Sequence, residues 1–208
     1  MKRLEKFSLV YQVTMRLSFF ALILLFVLSV SSQSAAQEDR RSFGLHDRLP
    51  GEDPSCDFVN RSYERTVGGA YATRLYGVQP TGAFELLLLQ VFIGDLAYDR
   101  EGLGRWHLRY RGLRKTVDGI GAVFRHCSNA SDSLYGAVPV KVFQVEWARN
   151  GYNAKSEVVI STATSKIIKT TRQFVGATPT GFPVMTEIFD TKRDRIKAPS
   201  DAIDLRNE

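Results

Sequence analysis

The chain has 208 residues, 44% of them hydrophobic, and a formal net charge of +6. Four basic residues and one acid fall within the first 36, so the remaining 172 residues carry +3. Those 172 residues suit one domain with a sizeable core, and their scattered charges exclude the basic footprint of a nucleic-acid-binding protein.

Residues 1–36 read as an export signal. Lys2, Arg3, Lys6 and Arg16 precede an apolar run from Phe19 to Val30 that only Ser29 interrupts. A polar stretch ending Ser34-Ala35-Ala36 then offers the small residues that a signal peptidase needs, which predicts cleavage after Ala36 and a new N-terminus at Gln37. The apolar run is well short of the roughly 20 residues that span a bilayer, although an uncleaved anchor is the alternative. Met15-Arg16 would itself open a compact signal, so Met15 is a second candidate start. Gln37, not a cysteine, directly follows the cleavage point, and a lipid-anchored product is not expected.

Residues 37–53 are polar and carry mixed charge, which predicts a flexible arm. Asp53-Pro54-Ser55 supplies a helix start, and Cys56, Val59, Tyr63 and Val67 follow at helical spacing before Gly68-Gly69 ends the element. From there the period changes to that of strands. Residues 71–78 and 83–93 read as two strands separated by the turn Gln79-Pro80-Thr81-Gly82. Gly94-Asp95 suits a tight hairpin into a return strand from Leu96. Over 105–111, Trp106, Leu108 and Tyr110 alternate with Arg105, His107 and Arg109, the pattern of a half-buried strand. The stretch 105–115 also carries Arg111, Arg114 and Lys115. It reads as a solvated strand edge, with anionic lipid head groups as the other partner for so many bases. A turn or short helix is expected over 116–121 and a strand over 122–128. Residues 141–148 alternate again, and Asn150-Gly151 is the strongest hairpin signal, leading to a strand over 152–161. Strands over 166–175 and 183–189 flank a Gly/Pro/Thr loop at 176–182. One helix followed by many short strands predicts an α+β, mainly β fold: an antiparallel sheet curling over the N-terminal helix.

The two cysteines, Cys56 and Cys127, suit a disulfide in an oxidising compartment, with two free thiols as the alternative. Catalytic and metal signatures are missing. His46, His107 and His126 lack ligand spacing, no G-x-S-x-G elbow occurs, and no glycine-rich phosphate loop is present. The sequence therefore predicts neither an enzyme nor a resident metal or cofactor. Asn60-Arg61-Ser62 and Asn129-Ala130-Ser131 match the glycosylation triplet, which matters only in a glycosylating host.

The C-terminal half carries a resemblance. It runs from Cys127 through Gly136-Ala137-Val138-Pro139-Val140-Lys141-Val142-Phe143, then Val159-Ile160-Ser161-Thr162-Ala163-Thr164-Ser165-Lys166-Ile167-Ile168-Lys169, and Ile188-Phe189-Asp190-Thr191-Lys192 before Ile196-Lys197-Ala198-Pro199. This resembles the closing strands of the LolA/LolB-like superfamily of exported lipoprotein-carrier-related proteins, over roughly residues 54–199. Two positions depart: Ser165 stands where a turn Gly is usual, and Thr191 where an aromatic is usual. The resemblance implies a periplasmic protein with one β domain over 54–199 and a short tail at 200–208. It also implies an incomplete antiparallel β-barrel whose concave face encloses an apolar cavity, and binding rather than chemistry.

Two functions follow as expectations. The first is an exported, monomeric carrier for a lipid or acylated protein, without a permanent membrane anchor. Residues 84–93 are apolar on both strand faces, so either they form an ordinary central strand or Phe84, Leu86 and Leu88 line the cavity. Trp106, Leu108, Phe143, Val145 and Trp147 form the other candidate wall, unless they are simply core. The second function is an interaction or structural protein of the cell envelope that binds a protein partner and has no ligand cavity.

Overall fold

The computed structural model describes residues 48–206 apart from Leu113 and Asn129. The expected export signal at 1–36, arm residues 37–47 with His46, and Asn129 lie outside the described residues.

Among the described residues there is one α-helix, and Asp53 starts it. Its Oδ1 accepts the Ser55 N–H at 2.8 Å, and Pro54 fills the first position of a 3-10 turn, Pro54–Cys56, that runs into α1 (Asp57–Val67). The strands are β1 (Tyr71–Val78), β2 (Phe84–Ile93), β3 (Leu96–Glu101), β4 (His107–Tyr110), β5 (Val117–Asp118), β6 (Gly121–Ala122) and β7 (Phe124–Arg125). They continue with β8 (Ser131–Tyr135), β9 (Val138–Arg149), β10 (Tyr152–Ser161), β11 (Ile167–Phe174), β12 (Val184–Asp190) and β13 (Ile203–Asp204). One large sheet has the order β13-β4-β3-β2-β1-β12-β11-β10-β9-β7, with β8 also on β9, and β5-β6 form a separate ribbon. Its ladders are antiparallel except for β13 beside β4. Its two edges do not pair with each other among the described residues, so the sheet is not a closed barrel.

Local chemistry accounts for the turns. Asn150 and Gly151 take φ of 51° and 82°, the left-handed pair that matches the twist of the β9–β10 hairpin. Ser165 also has a positive φ, 51°, which explains why a glycine would suit that turn. The 116–121 segment takes the turn rather than the helix, at 119–120 between β5 and β6, and the strand expected over 122–128 shrinks to Phe124–Arg125. Strand β8 carries no alternation in its sequence because all five of its residues are exposed.

Helix α1 packs on one face of the sheet. Cys56, Val59, Tyr63 and Val67 join Tyr71, Phe92, Phe143, Val145, Val158, Ile160, Ile167 and Phe189 in one core. Each such side chain, once fully buried, contributes about 1.5–3 kcal/mol. Both helix ends are also fastened by specific bonds. At the start, Cys56 is disulfide-bonded to Cys127, 71 residues away. Closing a loop of that size restricts the unfolded chain by roughly 4 kcal/mol in the entropy description. Beside it, Asp53 Oδ2 accepts the His126 N–H at 2.7 Å and Ser55 Oγ accepts the Cys127 N–H at 3.0 Å. The hydrogen bond from His126 holds the Asp53 carboxyl below its usual range. Residues 48–53, read from the sequence as part of the arm, are tied down as well. Arg48 donates to both Asp57 carboxylate oxygens at 2.8 and 2.6 Å, and the Thr116 hydroxyl donates to Glu52.

The far end of the helix depends on Thr66, which is fully buried. Its hydroxyl donates to the Ser62 carbonyl at 2.7 Å and accepts the Ile167 N–H at 2.8 Å. That N–H is free for a side chain because the β10–β11 register slips between Val159 and Ile160. Thr66→Val keeps the shape but strands a buried N–H, so it should destabilise the fold by about 1–3 kcal/mol, whereas Thr66→Ser should cost less. Equilibrium urea unfolding of the two variants measures this, and equal stabilities for Val and wild type would refute the assigned bond.

Candidate functional site

On the helix-bearing face, the side chains beyond α1 change character along the strands. Cross-strand register places Gln90 opposite Thr73, Glu187 opposite Thr170, and Arg172 opposite Ser156. These residues form a polar belt across β2, β1, β12, β11 and β10. Past the belt lies a second apolar cluster of Ala154, Phe174 and Met185, with Leu75, Trp147, Tyr152 and Phe182 packed against it. Polar residues thus sit between two apolar clusters on one face.

A cavity of about 660 Å³ opens onto this belt. Phe92, Val123 and Phe124 border it at the helix side, Arg114, Arg172 and Glu187 in the middle, and Leu75, Trp147 and Met185 beyond. The 176–183 segment closes one side with Pro179 and Thr180. Phe182 of that segment lies so close to β1 that a Cβ on Gly77 would come within 2.5 Å of its ring, so the strand must carry glycine there.

The belt is built around one carboxylate. Glu187 Oε2 accepts from Arg172 Nη2 at 2.7 Å, and Oε1 faces Arg114 Nη1 at 3.9 Å. Glu187 is only 6% exposed. Burial alone would raise its pKa, but Arg172 and Arg114, with Arg149 further off, hold it below the ordinary range. Arg172 also lies over the Trp147 ring at 5.0 Å. Arg114 reaches the belt from the segment after β4, donating to Gln90 Oε1 at 3.1 Å and stacking over Phe92 at 4.7 Å. Arg149 donates to the Tyr63 hydroxyl at 3.3 Å, which links β9 to the helix. Burial pushes the Tyr71 hydroxyl up to about 12, against the opposing pull of Arg114.

Several polar atoms here have no protein partner. The hydroxyls of Tyr71, Thr73, Ser156 and Thr170 and the Nε of Arg172 are all buried without a hydrogen bond. Such groups require water or a bound molecule.

Of the expected wall residues, Trp147 alone borders this cavity. Phe143 and Val145 lie on the same face but are consumed by the core under α1. Leu88 shares that face with its neighbour Leu75, outside the lining. Phe84 and Leu86 lie beyond a register slip that pairs Leu75 with Leu88 but Tyr76 with Leu86. The extra residue, Leu87, reverses the alternation, so Phe84 stacks edge-on against Tyr76 at 6.1 Å and remains 64% exposed. Arg109 and Tyr110 of β4 border the cavity, but Trp106 and Leu108 do not. Their backbone carbonyls instead accept from Ile203 and Leu205, so part of the 200–208 tail continues the sheet. Arg114, read as part of a solvated edge, is turned inward.

Sequence reasoning missed Glu187, Arg172 and Thr170. A signal for the first two existed: Glu187 lies between Met185 and Phe189, and Arg172 two residues before Phe174, each on the apolar face of its strand. Cys56 and Cys127 form the disulfide rather than free thiols. Asn60 is 3% exposed, so its triplet is not accessible in the folded protein. Neither a protein-family model nor a curated protein matches the chain.

Glu187 and Asp53 both have depressed folded-state pKa values. Their contribution to stability is therefore complete above the unfolded carboxyl range and is lost as pH falls through the folded values. Melting temperature should be nearly flat from about pH 7 to 5 and fall below about pH 4, and Glu187→Gln should flatten part of that acid limb. A melting temperature that rises on acidification would contradict the ion cluster.

Proposed function

We propose that this is an exported binding protein that carries an amphipathic ligand, such as a lipid or an acylated protein, on the helix-bearing face of its sheet. The cavity of about 660 Å³ between the polar belt and the Trp147–Met185 cluster is the observation that carries this reading. That volume lies within the range in which small-molecule sites fall. The export signal read over 1–36 and the Cys56–Cys127 disulfide support an oxidising, extracytoplasmic compartment such as the periplasm.

The sheet is an incomplete barrel in this reading. Arg109 of β4 and Trp147 of β9 border one cavity although six strands separate theirs. In a flat sheet they would lie roughly 34 Å apart at the usual interstrand spacing, so a shared cavity favours strong curvature. The LolA/LolB-like resemblance of the closing strands points the same way. The cavity also favours a ligand carrier over an envelope partner protein that lacks one. It differs from a simple acyl pocket in having a charged belt along one side.

The two tryptophans provide a test. Trp147 borders the cavity, whereas Trp106 lies beside Arg100, whose guanidinium is 5.0 Å from the Trp106 ring. A Trp106→Phe protein titrated with cis-parinaric acid should transfer energy from Trp147 to the bound polyene and saturate. Trp147→Phe should lose most of that transfer. Absence of saturable binding, together with absence of any lipid in a solvent extract of the purified protein, would overturn the carrier reading.

A further inference from the structure

Resting on the reading of a cavity that binds an amphiphile, we infer that the belt is a head-group site for an anion, a phosphate monoester or a carboxylate. The charge inventory is the first observation. Among the described lining residues, Arg109, Arg114, Arg149 and Arg172 face a single acid, Glu187. Arg109 already has a carboxylate, Asp99, at 2.9 Å. That leaves three guanidinium groups around one carboxylate, an excess of two positive charges in a partly enclosed space. A wall meant only for acyl chains would gain nothing from guanidinium groups and would lose free energy by desolvating them.

Unused donors are the second observation, independent of the charge count. Thr170 is 2% exposed and lines the cavity, yet its hydroxyl has no partner. Arg172 spends Nη2 on Glu187 and leaves its buried Nε unbonded. Nε is a free, charge-assisted donor for one oxygen of a carboxylate or phosphate, beside the Nη2 that already holds Glu187. Glu187 therefore positions Arg172 without exhausting it. Because each Glu187 oxygen faces a different arginine, the carboxylate also prevents Arg114 and Arg172 from repelling each other apart when the cavity is empty.

Geometry on either side of the belt sets the rest of the ligand. Trp147, Leu75 and Met185 lie immediately beyond Arg172, so a chain attached to the anion would run onto that apolar cluster. Arg149, which donates to the neutral Tyr63 hydroxyl, adds positive charge without belonging to the Glu187 contacts.

The test uses the full chain, expressed with its N-terminal segment and purified, and three probes. Oleoyl lysophosphatidate and monooleoylglycerol share acyl chain and glycerol and differ in the phosphate; glycerol 3-phosphate has the phosphate without the chain. Lysophosphatidate should bind at least about tenfold more tightly than monooleoylglycerol, a preference that shrinks as salt is raised. Arg114→Gln should remove most of that preference, read as the ratio of the two affinities within the one variant so that a change common to both probes cancels, since it deletes a charge next to the anion. If Arg114→Gln fails to fold, Arg149→Gln is the substitute, because it makes no contact with Glu187 and should lower the preference in the same direction. Equal binding of the two acylated probes, or variants that keep the full preference, would overturn the anion site and leave the carrier reading standing. Binding of neither acylated probe would overturn the carrier reading itself. Glycerol 3-phosphate binding as tightly as lysophosphatidate would uphold the anion site and remove the amphiphile from it.

Discussion

The interaction on which the interior of this protein depends is the grip of two arginines on the Glu187 carboxylate. Glu187 comes from β12, Arg172 from β11, and Arg114 from the segment that follows β4 at the far side of the sheet. A lone carboxylate buried to this extent would shed its charge; two guanidinium groups keep it ionised. The same contacts draw the Arg114 segment across the sheet face and hold Arg172 against Trp147. The belt, the cavity above it and the separation of the two apolar clusters all follow from where those charges are fixed.

A second constraint secures the helix that closes the other end of this face. The disulfide, the Asp53 and Ser55 hydrogen bonds, and the Thr66 bond to Ile167 fasten α1 at both termini. An 11-residue helix is marginal alone, so its position is a product of these attachments and of the Val59–Tyr63–Val67 face. With α1 fixed, Tyr63 can meet Arg149, and the helix becomes one wall of the cavity. Stability and site geometry are therefore coupled through the same few residues.

Much of the fold was legible because its signals are local. The helix face at Cys56, Val59 and Tyr63, the strand from Tyr71 to Val78 and the Asn150-Gly151 hairpin each rest on spacing or turn chemistry within about a dozen residues. The disulfide was legible from the cysteine count and from the compartment that the export signal predicts. Wall residues were less so, for a reason that alternation itself supplies: a single extra residue, Leu87, exchanges the faces of everything before it. Phe143 and Val145 were placed on the right face, but nothing local says that the helix, rather than a ligand, covers them. Arg114 was misread because it lies in a basic run in which Arg105, Arg109 and Lys115 are exposed. Its partner is 73 residues away in sequence, on a strand not adjacent to the β4 strand that Arg114 follows.

In the proposed complex an anionic head group occupies the belt while its chain lies along Trp147, Leu75 and Met185. The most direct measurement is a crystal structure of the protein grown with a terminally brominated fatty acid, read by the bromine's anomalous signal. The carboxylate should lie within hydrogen-bond distance of the Arg172 or Arg114 guanidinium and the bromine beside the Trp147–Met185 cluster. A ligand bound in the opposite sense, with its bromine at the belt, or bound only outside this cavity, would contradict it.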